Sequence, residues 1–305
     1  VTASEPAAVS GLLDTERGKI SAAMDRLVRS RVEPLPEAFR EPIRYALEGG
    51  GKRLRPLLCV RTCLALSGRE ATDAVYDAAC AIEWIHSYSL VHDDLPCMDD
   101  DELRRGRPTT HRVFGAERAA VAGALLIPLA LALLEDACGA VGLDRQATAA
   151  AVMDLANAAG AHGMVGGQVL DLEAESHRVD LAGLEAIHRM KTGALFGASL
   201  RLGGRLAGAG QAVLEALGRA GTSLGLAFQV ADDILDETGA TSVLGKMAGA
   251  DRAHGKATYP ALLGLAVARR KAGVEAEAAR AALAEAGARD ELLEYLVTFA
   301  VERDR

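Results

Sequence analysis

Residues 88–105 read YSLVHDDLPCMDDDELRR and carry Asp93, Asp94, Asp99, Asp100, Asp101 and Glu102, with Arg104 and Arg105 close behind. Negative charge at this density beside a long apolar stretch is costly unless something cationic neutralises it. A second acidic cluster lies far downstream in AFQVADDILDETG, with Asp232, Asp233 and Asp236. On a helix Asp232 and Asp236 stand at i and i+4, so both carboxylates leave one face. Two such clusters in a helical chain suggest hard divalent cations clamped between helices. These ions take oxygen ligands, and Mg²⁺ usually completes its shell with water and a substrate phosphate.

Outward from these clusters the pattern is helical throughout. The 305 residues are 50% hydrophobic and 25% charged, ordinary values for a soluble globular protein. Aromatics supply only 4% while alanine and leucine abound, which favours an all-helical core over a sheet. The spacing predicts helices over 12–32, 37–47, 53–66, 72–91, 145–174, 181–206 and 211–236. The tail from Pro260 to Val301 also reads as helix, broken near Gly273 and Gly287. No alternating run with hairpin turns competes, and no repeat or long linker divides the chain. The expectation is one all-α domain over 1–305, a helical bundle around a central cavity, with a mobile start at about 1–9.

Ala119 to Leu134 imitates a membrane span, but it is shorter than the roughly 20 residues a bilayer needs and contains Gly123 and Pro128. It reads as a buried core helix, so the protein is not expected to be integral to a membrane. The opening residues lack a basic stretch followed by a continuous apolar core, so no signal peptide is expected. Cys59, Cys63, Cys80, Cys97 and Cys138 are odd in number and show no paired zinc spacing, as in a reducing cytoplasm. The formal net charge of −8 argues against a general nucleic-acid binder.

Asp93 and Asp94 should close their helix, where the dipole favours cations. Pro96 then takes the chain out of helical geometry before the second set of aspartates. The basic residues are grouped too. Gly49-Gly50-Gly51-Lys52-Arg53-Leu54-Arg55 is a glycine-rich turn at a helix start, and its amides with Lys52 and Arg55 make an anion site suited to phosphate. It is not a P-loop, since no Ser or Thr follows the lysine and no strand precedes it. Arg104, Arg105, Lys191, Lys246 and Lys256 add positive charge. Carboxylates and cations together fit a diphosphate bridged through metal to the acids and held directly by the cations.

These segments resemble the trans-prenyl diphosphate synthases, and within that family bacterial farnesyl diphosphate synthases. HSYSLVHDDLPCMDDDELRRGRPTTH resembles the first aspartate-rich motif in its DDxxxxD form, and GLAFQVADDILD the second, DDxxD. GGGKRLRP, GMVGGQVLD, HRMKTGALF and LGKMAGADRAHGKATYPALLGL match the remaining blocks in the expected order, from about Gly49 to Leu265. The resemblance implies an allylic diphosphate held by Mg²⁺ (three ions with substrate bound, Mn²⁺ a possible substitute) on Asp93, Asp99 and Asp232, with Asp94, Asp233 and Asp236 in support. Arg104, Lys191 and Lys246 match ligands to that diphosphate, and Lys256 is expected among the substrate-binding residues. Isopentenyl diphosphate would sit at Lys52, Arg55, His86 and Arg105. Thr192 and Gln229 match positions whose oxygens face the carbocation, and Gln168 and Asp171 match polar residues beside the site. His92 has no such match and reads as structural, while His111 stays undecided. A homodimer is expected.

The growing hydrocarbon should run down the helix before Asp93. Tyr88 lies about 7.5 Å back along the axis and Ser89 one turn back. An aromatic at position 88 resembles the plug that stops related enzymes at fifteen carbons, with a twenty-carbon product as the alternative. One departure stands out. Relatives usually carry Gly-Asp-Ala-Leu near the start of the apolar helix, where this chain has Gly123-Ala124-Leu125-Leu126. A class I terpene cyclase would need no second diphosphate site, and a non-catalytic partner subunit commonly loses one acidic motif. Both motifs and the second cationic set are present here.

Overall fold

The computed structural model describes residues 7–174, 177, 179–238 and 256–302. Helix α4 (Asp73–Asp93) is apolar on nearly every side, and a helix of that kind must lie inside other helices. Its Trp84, Ile82 and Ile85 are fully buried. Around it stand α1 (Ala7–Leu27), α3 (Leu54–Ser67), α6 (Ala116–Val141) and α10 (Ala194–Leu206). Helix α2 (Glu37–Leu47) covers one end of α6, and α7 (Arg145–Ala159) packs on both α6 and α10. Helix α11 (Gln211–Thr238) lies between α10 and the tail, which forms α12 (Tyr259–Leu263), α13 (Leu265–Glu285) and α14 (Glu291–Glu302). The all-helical expectation holds.

Glycine lets α10 and α11 approach closely. A Cβ on Gly221 would lie 2.4 Å from the Gly197 Cα, so position 221 has no room for a side chain. Among the described residues a turn of π geometry occurs twice: α1 continues as Val28–Val32, and Arg189–Gly193 joins α9 (Leu181–His188) to α10. π-Turns often mark functional sites, and the second of these carries Lys191 and Thr192.

Several boundaries differ from the sequence expectation. The helix expected over 145–174 is two helices, α7 and α8 (Met164–Ala174). A short turn over 160–163 separates them, and at Gly163 a Cβ would come within 2.1 Å of the Ala158 carbonyl oxygen. The tail does not break at Gly273, which sits inside α13 with open space about it; Gly264, at φ +78°, makes the break instead. Helix α1 begins at Ala7, earlier than expected, and Val9 is buried. Residues 1–6 of the expected mobile start lie outside the described residues. A two-stranded antiparallel ribbon, β1 (Leu103–Arg104) and β2 (Arg107–Pro108), leads into the short α5 (Thr110–Phe114). Two-residue strands are too short to show any alternation.

Helix α6 is long and apolar enough, by length and composition alone, to cross a membrane. One face, including Ala119, Ala122, Gly123, Leu126, Ala130, Leu133 and Leu134, is buried, and α4 is its main neighbour. Ala124 and Pro128 of the departing segment lie on the exposed side, and the helix continues through the proline.

Candidate active site

Helix α4 ends at Asp93 with Asp94 as its C-cap, and the chain then leaves helical geometry through Pro96. The loop returns at once, because the Asp99 amide donates to the Asp93 carbonyl at 2.9 Å. Two residues six apart thus come together through a loop rather than along a helix face. Asp93 sits among Lys191, Asp99, Arg104 and Asp94. Burial, with Asp99 and Asp94 adding to it against Lys191 and Arg104, pushes its carboxyl up to about 6. A carboxylate so placed wants a cation.

Cations already hold its neighbours. Arg104 on β1 donates from Nε to Asp94 at 2.6 Å and from Nη2 to Asp101 at 2.9 Å. Lys256 reaches Asp99 at 3.2 Å. Lys191, on the π-turn, reaches Asp171 on α8 at 2.6 Å. Helix α8 lies against this turn, since a Cβ on Gly167 would fall 2.3 Å from the Lys191 amide nitrogen. Next to Gly167, both amide atoms of Gln168 are buried without a hydrogen-bond partner. Such an amide is expensive in a finished core and is suited to a polar ligand.

The second acidic motif is braced from one side. Thr192 Oγ1 donates to Gln229 Oε1 at 3.2 Å, and Gln229 Nε2 donates to Asp233 at 3.1 Å. The Tyr259 amide donates to the other Asp233 oxygen at 3.0 Å. Asp233 is therefore a buried strut, whereas Asp232 is exposed and Asp236 half-buried on the same helix. Residues 256–259 touch both acidic motifs, through Lys256 to Asp99 and through Tyr259 to Asp233.

The remaining cations gather at the start of α3. Gly50, Gly51 and Arg53 have φ of 69°, 127° and 53°, and Arg53 forms a buried ion pair with Glu83 at 2.7 Å. Arg105 donates to the Gly50 carbonyl and lies over Gly51, where a Cβ would meet the guanidinium at 2.5 Å. Arg55 stacks 4.8 Å from the centre of the Phe196 ring, and its Nε is buried without a partner. Burial lowers it to about 10, with Arg105 pushing the same way and Glu83 and Asp232 opposing. Burial, then Arg55, Arg105, Arg104 and Arg53, hold His86 well below its ordinary value, so it is a neutral imidazole among four arginines. Lys52 stands 4.7 Å over the Phe299 ring on α14. A cavity of about 50 Å³ beside this cluster is bordered by Ser87, Asp94, Arg104 and Arg105.

Of the site residues expected from the sequence, Lys246 lies outside the described residues. Tyr88 is buried, with its hydroxyl donating to the Ala159 carbonyl at 3.0 Å, and Ser89 donates to the His86 carbonyl. Among the described residues no three His, Cys, Asp or Glu side chains are gathered closely enough to hold a metal ion as they stand. The oxygen-rich donor set still suits Mg²⁺. Sequence reasoning missed Tyr259, which acts through its main chain and so carries no side-chain signal. It also missed the Arg53–Glu83 strut, for which a buried glutamate on an apolar helix was the available clue.

The family model for polyprenyl synthetase matches residues 36–297. Farnesyl diphosphate synthase of Escherichia coli (strain K12) is 47% identical over 281 residues, 90% of this chain and 93% of that protein. Farnesyl diphosphate synthase of Geobacillus stearothermophilus is 41% identical over 301 residues, 97% and 98% of the two chains. Putative geranylgeranyl pyrophosphate synthase 8, chloroplastic, of Arabidopsis thaliana is 46% identical over 250 residues, 81% of this chain and 68% of that one. Among solved structures, an FPP/GFPP synthase from Zymomonas mobilis in its apo form superposes with a TM-score of 0.82 at 38% identity, covering 96% of this chain and all of that one.

Proposed function

The chain belongs to the polyprenyl synthetase family, and from that premise we propose how its residues carry out a prenyl transfer. It is a prenyltransferase that joins isopentenyl diphosphate to dimethylallyl diphosphate, and then to geranyl diphosphate, giving farnesyl diphosphate. One observation carries the assignment of the site. Cations expected to hold diphosphate bind carboxylates of the acidic loop and of α8 (Arg104 to Asp94, Lys256 to Asp99, Lys191 to Asp171), while α11 is joined to the π-turn and to residues 256–259 by neutral donors, Thr192 to Gln229 and the Tyr259 amide to Asp233.

Divalent-metal dependence is general in the family. Asp93, Asp99 and Asp232 would hold Mg²⁺, with Asp94, Asp233 and Asp236 behind them. When bound, the metal supplies charge that stabilises the leaving diphosphate. Arg104, Lys191, Lys256 and Lys246 take up the same charge directly as the allylic C–O bond breaks. The side chains of Thr192 and Gln229, locked by their mutual hydrogen bond, offer neutral oxygen dipoles to the carbocation where a carboxylate could be alkylated. Gln168 and Asp171 orient the polar end of the substrate. Lys52, Arg55, His86 and Arg105 hold isopentenyl diphosphate, whose double bond attacks the cation. The proton then lost passes to the departed diphosphate. Tyr88 and Ser89 bound the hydrocarbon path and end it at fifteen carbons.

A homodimer fits the exposed apolar side chains on α6, α7 and α8: Val121, Met153, Val165 and Val169. A monomer by light scattering at micromolar concentration would refute it.

Incubation of an allylic diphosphate with enzyme and Mg²⁺, with and without isopentenyl diphosphate, tests the chemistry. The allylic substrate should be consumed by elongation only when isopentenyl diphosphate is present. Cyclised hydrocarbon formed from the allylic substrate alone would overturn the second diphosphate site.

A further inference from the structure

His92 stands one turn after Tyr88 on the same face of α4. The two rings meet edge to face, with centroids 5.5 Å apart and planes at 87°. The Nε2 of His92 is 2.9 Å from the Ala120 carbonyl oxygen on α6. A carbonyl can only accept, so Nε2 carries the proton and donates. On the same helix a Cβ on Gly123 would fall 2.3 Å from the His92 ring, so only glycine leaves a seat for the imidazole there. Tyr88 is therefore held twice, by α7 through its hydroxyl and by His92 across its ring, and His92 is itself held by α6.

An aromatic side chain stops a growing hydrocarbon only if it cannot rotate out of the way. Its free torsions lie among staggered wells that packing must choose between, and a void beside it would let the ring move or the chain thread past. We infer that His92 is a positioning residue for product length: seated against Gly123 and Ala120, it keeps Tyr88 across the hydrocarbon path. The inference rests on Tyr88 being the stop.

The test is the product distribution, which a merely structural residue would not change. His92→Ala, given isopentenyl and geranyl diphosphates, should raise the ratio of twenty- to fifteen-carbon product about ten-fold, the scale on which small changes in apolar space alter discrimination. His92→Phe keeps a ring without the hydrogen bond and should stay at fifteen carbons. An unchanged ratio in His92→Ala, or equal lengthening in His92→Phe, overturns the role of the ring. Should the alanine variant not fold, His92→Gln, which can still donate toward Ala120 but offers no ring, is measured in its place with the same expectation. Tyr88→Ala run alongside separates the two claims. Lengthening there but not at His92 sinks this inference alone, and lengthening at neither sinks the Tyr88 reading as well.

Discussion

Arg104 bridges Asp94, whose side chain is only 4% exposed, and Asp101, with Nε on Asp94 and Nη2 shared between the two. Replacing it with alanine takes the arginine away from a buried carboxylate, and breaking a buried pair of this kind costs about 3–5 kcal/mol. Unfolding entropy near the midpoint is about 2.1 cal/mol/K per residue, or roughly 0.6 kcal/mol/K for 305 residues. The melting temperature of metal-free Arg104→Ala should therefore fall by about 5–8 °C. Arg104→Lys keeps the charge but loses the fork, giving up one charged hydrogen bond worth about 2 kcal/mol, or about 3 °C. The decisive assay is a double-mutant cycle read by thermal unfolding. Asp94→Asn should be costly with Arg104 present and clearly less costly in Arg104→Ala, because the buried charge no longer has the arginine to lose. Additive losses would mean that this pair does not hold the base of the acidic loop.

Three further outcomes follow from particular contacts. Tyr88→Phe loses the bond to the Ala159 carbonyl and should cost about 1 kcal/mol of stability while the main product stays at fifteen carbons; a shift to longer product would show that the hydroxyl, not the ring, is the stop. Gln168→Leu removes two buried, unpartnered polar atoms, so it should leave stability unchanged or slightly higher while lowering kcat/KM for the allylic substrate by about ten-fold. Full activity with reduced stability would make Gln168 structural. Asp93, raised to about 6, keeps a proton in the folded metal-free protein over a range where the unfolded chain has lost it. Its ionisation thus costs stability as pH rises from about 4 through about 6. The melting temperature of metal-free wild type, relative to Asp93→Asn, should fall over that window; a constant or rising difference contradicts the raised value.

Much of this protein is written in local pattern. Helix α2 falls where the spacing places it, and α3, α4 and α11 begin and end within about two residues of expectation. Glycines were the harder signal, because their effect depends on what they meet. The turn at Gly163 requires glycine because a Cβ there would run into the Ala158 carbonyl, while Gly273 meets nothing and α13 runs through it. The site was legible where side chains form motifs, as in the two acidic clusters and the cations around them. It was not legible where a main-chain group acts, as Tyr259 does on Asp233. The role inferred for His92 was hidden as well. It depends on α6 crossing α4 at Gly123, and no local pattern in the HDD stretch reveals that crossing.

Product chain length tests the assignment most directly. Purified protein, Mg²⁺, isopentenyl diphosphate and dimethylallyl diphosphate are incubated, and the dephosphorylated alcohols are separated by length. Farnesol as the main alcohol is the expected result, with the Tyr88 ring ending the hydrocarbon path. Geranylgeraniol as the main alcohol would contradict the stop at Tyr88. No elongation of either dimethylallyl or geranyl diphosphate would contradict the condensation itself.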